Sequence, residues 1–405
     1  MDHGRQHPGS CSGDRYSRLR EYAIIGDCSC AALVSGNGSI DWLCMPRFDS
    51  PSLFGAILDA RKGGLFRVSP KGHSSSKRRY IDKSNVLETT FETEEGKFRL
   101  VDLMPVYTPE GRVEGLCPER HILRLIECLE GSPEVEILYE PRPDYGRRNV
   151  RIVQRDRYSW FLQYGSDAVL LQSDLPLSVS TDRSCVHGMQ RLRKGERRSL
   201  SLCYAGKEPL VLFPLGGPSR HLVDSTVEWW RRWVSRCVYQ GPYREQVLRS
   251  ALVLKLLTYA PSGAVVASCT TSLPEKIGGI RNWDYRYCWL RDASMTLRAF
   301  FRLGLIEEGQ AFFSWMLYTT RLSQPGLKVI YNVYGETDLK EEELDHLEGY
   351  RCSRPVRVGN AVISQVQFDT YGEVLDAAWE YVRHKGVLDR ATEKRLMAFG
   401  EVVLR

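Results

Sequence analysis

The stretch GGIRNWDYRYCWLRDAS, residues 278–294, packs two Trp, two Tyr, three Arg and two Asp into seventeen positions. That combination suits a polar ligand with flat apolar faces. A pyranose carries hydroxyls around its rim and C–H groups on its faces. Aromatic rings cover such faces, and Tyr and Trp add polar edges. Arg donors and an Asp acceptor can bind adjacent hydroxyls through charge-assisted hydrogen bonds. Tyr285, Tyr287 and Trp289 alternate, as in a short extended segment, so they can share a face. The periodic run ASMTLRAFFRL after Asp292 puts that carboxylate at a helix start, at a rim where clefts form. Each residue also has a plainer use. Asp292 can cap the helix, Arg291 can pair with a surface acid, and the rings can pack in a core. Residue chemistry alone leaves a sugar pocket, a site for another polar ligand and simple packing all open.

The surrounding elements fall into two kinds. Two alternating runs between Val86 and Met104, VLETTF and KFRLVDLM, read as a hairpin through Glu94-Glu95-Gly96. Similar runs follow, among them HILRLIECLE, EVEILYE and RRSLSLCYAG, with turn signals between them and no intervening helices. This predicts an antiparallel β-sandwich over residues 20–215, after a flexible tail over 1–19. The period then changes. Thr226 to Tyr239 reads as a connecting helix within 216–240, and Tyr243 to Tyr259 as another helix. Arg291 to Leu303 and Glu307 to Tyr318 read as an αα-hairpin broken at Gly304. Phe368, Tyr371, Leu375, Ala378 and Val382 mark an amphipathic helix, and Ala391 to Leu404 reads as one more. Residues 241–405 therefore have room for about five or six helices.

Composition excludes several classes. Hydrophobic content is 42 % and charged content 26 %, the profile of a globular chain. No apolar run approaches the length of a membrane span. The opening residues are polar and do not read as a signal peptide, which predicts a cytoplasmic protein. The net charge of +6 comes from scattered Lys and Arg, with no basic stripe for nucleic acid. The twelve cysteines include no C-x-x-C pair, so no zinc site is expected and the thiols are expected to be reduced and buried.

The opening stretch resembles the active-site segment of glycoside hydrolase family 15, the glucoamylase and bacterial trehalase family. YAIIGDCSCAALVSGNGSIDWLCMPRFDSPSLFGAILD, Tyr22 to Asp59, resembles the trehalase-like N-terminal domain of its bacterial members. LDHLEGYRCSRPVRVGNA and QVQFDTYGEVLDAAW fit as well. The resemblance implies a β-sandwich followed by an (α/α)6 barrel, and cleavage with inversion of an α-glucosidic bond at a terminal glucose. It assigns Arg291 and Asp292 to the hydroxyls of that glucose, with Trp289 and Tyr285 as the matching aromatics. Arg354 and Arg357 match a second pocket-lining stretch. Trp42 and Arg47 are expected either to reach the pocket from the sandwich or to stabilise the fold. The substrate implied is a glucose-containing disaccharide or oligosaccharide, trehalose or an α-glucan, with no cofactor and no metal.

Inversion needs two carboxyls about 6.5–9.5 Å apart, one acid and one base. The family's Trp-Glu segment and its later catalytic Glu have no counterpart here. The barrel is therefore expected to be incomplete, the chain to lack a catalytic pair, and activity to depend on a second chain that completes it. Asp284, Glu275, Glu336, Asp369 and Glu373 are available acids, but none matches a catalytic position. The alternative is a non-catalytic carbohydrate-binding or interaction protein.

Overall fold

Two eight-stranded antiparallel sheets, two short two-stranded ones and a set of helices make up the described residues. The computed structural model describes residues 15–107, 116–322, 326–385 and 387–404. The first sheet runs from Ala23–Gly26 through Ala31–Val34, Ser39–Cys44, Leu65–Pro70, Glu134–Glu140 and Val186–Arg191 to Ser178–Val179, with Ser52–Phe54 paired to Ser39–Cys44. The second runs from Val153–Asp156 through Ser159–Tyr164, Asp167–Ser173, Arg197–Ala205, Arg120–Gly131, Gly96–Leu103 and Leu87–Thr93 to Ser75–Tyr80. The hairpin expected at Glu94-Glu95-Gly96 is present, with Thr93 opposite Gly96. The alternation read from sequence turns one face of each sheet inward. Ile40, Phe66, Val68, Val135 and Ile137 of the first sheet share a buried core with Phe91, Phe98, Leu100, Ile122 and Leu202 of the second.

One charged side chain bridges the two sheets. Arg124 is fully buried and forks onto Asp102, with Nε to Oδ1 at 2.7 Å and Nη2 to Oδ2 at 3.3 Å. The same guanidinium donates across the core to the carbonyl oxygens of Phe66 and Gly38 and lies over the Phe66 ring. Burial pushes the Asp102 carboxyl up, and Arg124 works against that.

Six α-helices follow among the described residues: α1 Gly217–Ser235, α2 Arg244–Leu256, α3 Ala293–Arg302, α4 Ile306–Leu322, α5 Asp369–Lys385 and α6 Arg390–Leu404. Pro218 suits the first turn of α1, whose inner face carries Leu222, Thr226, Trp230 and Trp233. Helix α3 buries Ala293, Leu297, Phe300 and Phe301 at helical spacing and stops before Gly304, which takes φ +77. Tyr371, Val374, Ala378 and Tyr381 form the buried stripe of α5. Phe368, expected on that stripe, instead precedes the helix and is exposed. Helix α1 begins earlier than the period suggested, because its first turns carry few apolar residues and rest on the sheet through Leu222.

The strands and helices are tied directly. Arg249 of α2 donates to the Ser84 carbonyl, Asn85 donates to the Leu252 carbonyl, and the Ala260 amide donates to Cys28. Tyr16 is buried edge-on against Tyr350, so the expected tail is anchored from that residue on, while residues 1–14 lie outside the described part. Two expectations about the cysteines need correction. Cys352 is disulfide-bonded, and Cys117 and Cys185 are only half-buried. Pairing depends on tertiary approach of the Cα atoms, which spacing along the chain does not reveal. No described helix is long and apolar enough to cross a membrane.

Arg124→Met should lower stability by about 3–5 kcal/mol, because it strands a buried carboxylate. Urea unfolding checks this, and adding Asp102→Leu to the same protein should restore much of the loss.

Candidate active site

The 278–294 stretch is an extended ribbon before it becomes a helix. Amides of Ala267, Ser268 and Ser272 donate to the carbonyls of Tyr287, Tyr285 and Trp283 at 2.9 Å each. Cys288–Trp289 pairs antiparallel with Ile330–Tyr331. Extended backbone separates odd from even positions. Asp284, Arg286, Cys288 and Leu290 are buried, whereas Trp283, Tyr285 and Trp289 are only partly covered. Tyr287 departs from this pattern. It is buried with Val329, Ile330, Leu339 and Val362, so it serves the core rather than an open face. Tyr285 and Trp289 remain together, their ring centroids 5.9 Å apart and tilted by 37°.

The inward face carries an ion pair with no solvent contact. Arg286 Nε donates to Asp284 Oδ1 at 2.9 Å and Nη2 to Oδ2 at 2.7 Å. Arg286 Nη1 reaches the Ser50 carbonyl of the sandwich at 2.8 Å. Asp284 Oδ2 also accepts from the Gly359 amide at 3.1 Å, and its backbone carbonyl accepts from Asn360 Nδ2 at 3.1 Å. Gly359 takes φ +74, and a Cβ there would collide with the Lys340 carbonyl, so only glycine lets the amide approach. Burial alone would lower the proton affinity of Arg286, but Asp284 more than offsets it and holds the guanidinium charged. This pair was missed as a structural element in the sequence. The signal was present, since Asp-x-Arg alternates with the aromatic positions.

Arg291 and Asp292 close the ribbon in a short 3-10 turn, Leu290–Asp292, and both are exposed. The Arg291 guanidinium lies 5.2 Å from the Trp289 ring centre and donates to Gln367 Oε1 at 3.2 Å. Asp292 sits at the helix start, yet its side chain makes no capping hydrogen bond. Capping therefore does not explain this carboxylate. Its pKa is raised above the ordinary aspartate value by partial burial and by Glu373, while Arg291 pulls it back. Trp289, Arg291 and Asp292 thus form one cluster with Tyr285 beside it.

The other four sequence candidates do not join that cluster. Arg357 is committed elsewhere. It pairs with Glu341 and Glu343 at 3.2 Å each, donates to the Ile280 carbonyl at 2.9 Å and covers Trp283. Exposed Arg354 shares with it a cavity of about 470 Å3, lined also by Ile280, Glu343 and Pro355 but by neither Arg291 nor Asp292. Trp42 is fully buried, and its Nε1 donates to the Cys269 carbonyl at 2.6 Å, so it joins sandwich to helices. Arg47 pairs with Asp49 at 2.9 Å and lies over Tyr334, lining a separate cleft at the domain junction. No His, Cys, Asp and Glu cluster suited to a metal occurs among the described residues.

Asp284→Ala should cost about 3–5 kcal/mol by leaving Arg286 buried and unpaired. Hydrogen exchange at the Gly359 amide should accelerate with it, which a surface charge change would not cause.

Residues 241–400 match the model of glycosyl hydrolases family 15, and residues 10–184 match the trehalase-like N-terminal domain. A trehalase of Thermoplasma volcanium is 34 % identical over 396 residues, which cover 96 % of this chain and 61 % of that protein. A trehalase of Mycolicibacterium smegmatis is 36 % identical over 396 residues, covering 91 % and 57 % respectively. The chain therefore spans less than two thirds of the length of these relatives. Among solved structures, a bacterial glucoamylase complexed with acarbose aligns with a TM-score of 0.55 at 11 % identity, over 99 % of this chain and 68 % of that one. At that identity the likeness concerns the fold: antiparallel sheets followed by a helical part. Residues 241–400 thus carry a segment of glycosyl hydrolases family 15, with a trehalase-like N-terminal domain ahead of it.

Proposed function

We propose that the chain acts on terminal α-linked glucose, with trehalose as the first substrate to test, and that Arg291, Asp292, Trp289 and Tyr285 hold that glucose. The observation that carries this reading is the Asp292 carboxylate. It stands at a helix start without capping it, beside an Arg and two partly covered rings. Trehalose is favoured over α-glucans because the curated relatives are named trehalases.

In the proposed mechanism, Asp292 accepts hydrogen bonds from one or two ring hydroxyls and Arg291 donates to a neighbouring one. Trp289 and Tyr285 cover the apolar edge of the sugar and exclude water from it. This positions the anomeric carbon for inversion by a carboxyl pair, one acid and one base. The helices α2–α6 contribute to an (α/α)6 barrel. Met295 and Met397 are 71 % exposed, and Phe368 and Trp379 60 %, which supports further helices packing against α3, α5 and α6.

One set of observations favours the second reading, sugar binding without catalysis by these residues. Each of the five acids considered from sequence is engaged through at least one oxygen. Asp284 is held by Arg286, Glu275 by Arg281, Glu336 by Asn332, Glu373 by Ser294 and Asp369 by the Thr370 amide. A glucose-release assay on trehalose and maltooligosaccharides separates the readings. Release abolished by Asp292→Ala supports hydrolysis by this chain, and binding without release supports the second.

Asp292→Ala and Arg291→Ala should each weaken trehalose binding by roughly ten- to a hundredfold, the worth of one charge-assisted hydrogen bond. Titration calorimetry checks this. Binding should also fall on acidification. The functional form of Asp292 is ionised and its pKa is raised, so the loss should begin at a higher pH than an ordinary aspartate would give. Asp292→Asn should remove that acid limb.

A further inference from the structure

The glucose-holding pair is supported by side chains from the start of α5 and the segment before it. Gln367 accepts from Arg291, and its own Nε2 donates to Gln365 Oε1 at 3.0 Å. This Gln365–Gln367–Arg291 chain fixes the guanidinium over Trp289. On the other side, Glu373 of α5 accepts from the Ser294 hydroxyl through Oε2. Ser294 is buried two residues after Asp292, so Glu373 is drawn to the turn that carries Asp292. Glu373 forms no ion pair among the described residues, and its Oε1 has no hydrogen bond there. It is also partly open to solvent. Its charge is close enough to be felt at Asp292.

A carboxylate placed next to another carboxylate, without a cation of its own, is unfavourable unless something shares it. Neighbouring acids elsewhere on α5 have cations: Arg298 pairs with Asp376 at 2.8 Å and with Glu380 at 3.2 Å. Glu373 has none, and only a serine hydroxyl holds it. Two adjacent acceptors with free lone pairs match two adjacent hydroxyl donors. A hexopyranose supplies such a pair on neighbouring ring carbons.

Resting on the glucose-holding reading, we infer that Glu373 is a specificity-determining residue of the same site. Its free Oε1 accepts the ring hydroxyl next to the one held by Asp292. Ser294 is the positioning residue that aims it, and Gln367 does the same for Arg291. A site built this way rejects a sugar that lacks the matching hydroxyl, because its acceptor is then left without a donor. It should also disfavour the epimer that turns that hydroxyl away.

The test is a titration of the full chain with methyl α-D-glucopyranoside and its monodeoxy analogues, using wild type, Glu373→Gln, Asp292→Asn and Ser294→Ala. Glu373→Gln keeps the size of the side chain, and its melting temperature is measured alongside. The expected result is a loss of about tenfold or more for the parent sugar in Glu373→Gln. One deoxy analogue should show little or no difference between wild type and Glu373→Gln, and a different one should show none between wild type and Asp292→Asn. Ser294→Ala should give a smaller loss with the Glu373 pattern. Equal loss across all analogues, or no loss, overturns the role of Glu373 while leaving the glucose-holding reading intact. Failure of wild type to bind any of these sugars overturns that reading, and the inference with it.

Discussion

The buried pair of Asp284 and Arg286 is the constraint on which the outward face of the 278–294 ribbon depends. Both side chains are withdrawn from water, and each is satisfied by more than the other. Arg286 donates through Nη1 to the Ser50 carbonyl of the sandwich, and Asp284 accepts from Gly359 near the start of the last helices. Three segments distant in sequence therefore meet at one charge pair. A buried pair contributes little net stability over a well-packed apolar pair, but breaking it is costly. Its value lies in register. If the ribbon slipped by one residue, Asp284 and Arg286 would turn outward and the aromatic residues inward.

The outward face inherits its order from that pairing. Tyr285 and Trp289 are held partly open because their even-numbered neighbours are anchored. The ribbon ends in a short turn that leaves Arg291 and Asp292 at a helix start, where neither is used up by the helix itself. Arg291 is shared between Trp289 and Gln367, and Asp292 remains uncommitted. The sandwich contributes at a distance. Trp42 hydrogen-bonds the carbonyl of Cys269, at the edge of the strand-like run that the ribbon lies against. That bond ties the sandwich to the run beneath the ribbon.

Much of this could be read from the chain. Period two in the first half and period three to four in the second separated sheets from helices, because burial on one face leaves that trace in composition. The cluster at 285–292 was visible because Trp, Tyr, Arg and Asp rarely coincide so densely. What was not legible depends on contacts between distant segments. Arg357 reads like Arg291 in sequence, yet Glu341, Glu343 and the Ile280 carbonyl claim it in space. Tyr287 alternates with Tyr285 and Trp289, but the 329–330 segment and Val362 bury it. Glu373 stands in the sequence as one of five available acids with no matching catalytic position, and only the packing of α3 on α5 brings it to the turn that carries Asp292. The tethering of Tyr16 and the bonding of Cys352 were likewise set by approach in three dimensions.

The central claim is that the uncapped Asp292 carboxylate exists to hold a sugar. Calorimetric titration of trehalose into wild type and Asp292→Ala, at neutral pH and with matched folded fractions, tests it most directly. The account predicts binding by wild type and a loss of roughly ten- to a hundredfold in the variant, with the melting temperature little changed. Equal affinity in the two proteins, or no binding by a folded wild type, would contradict it.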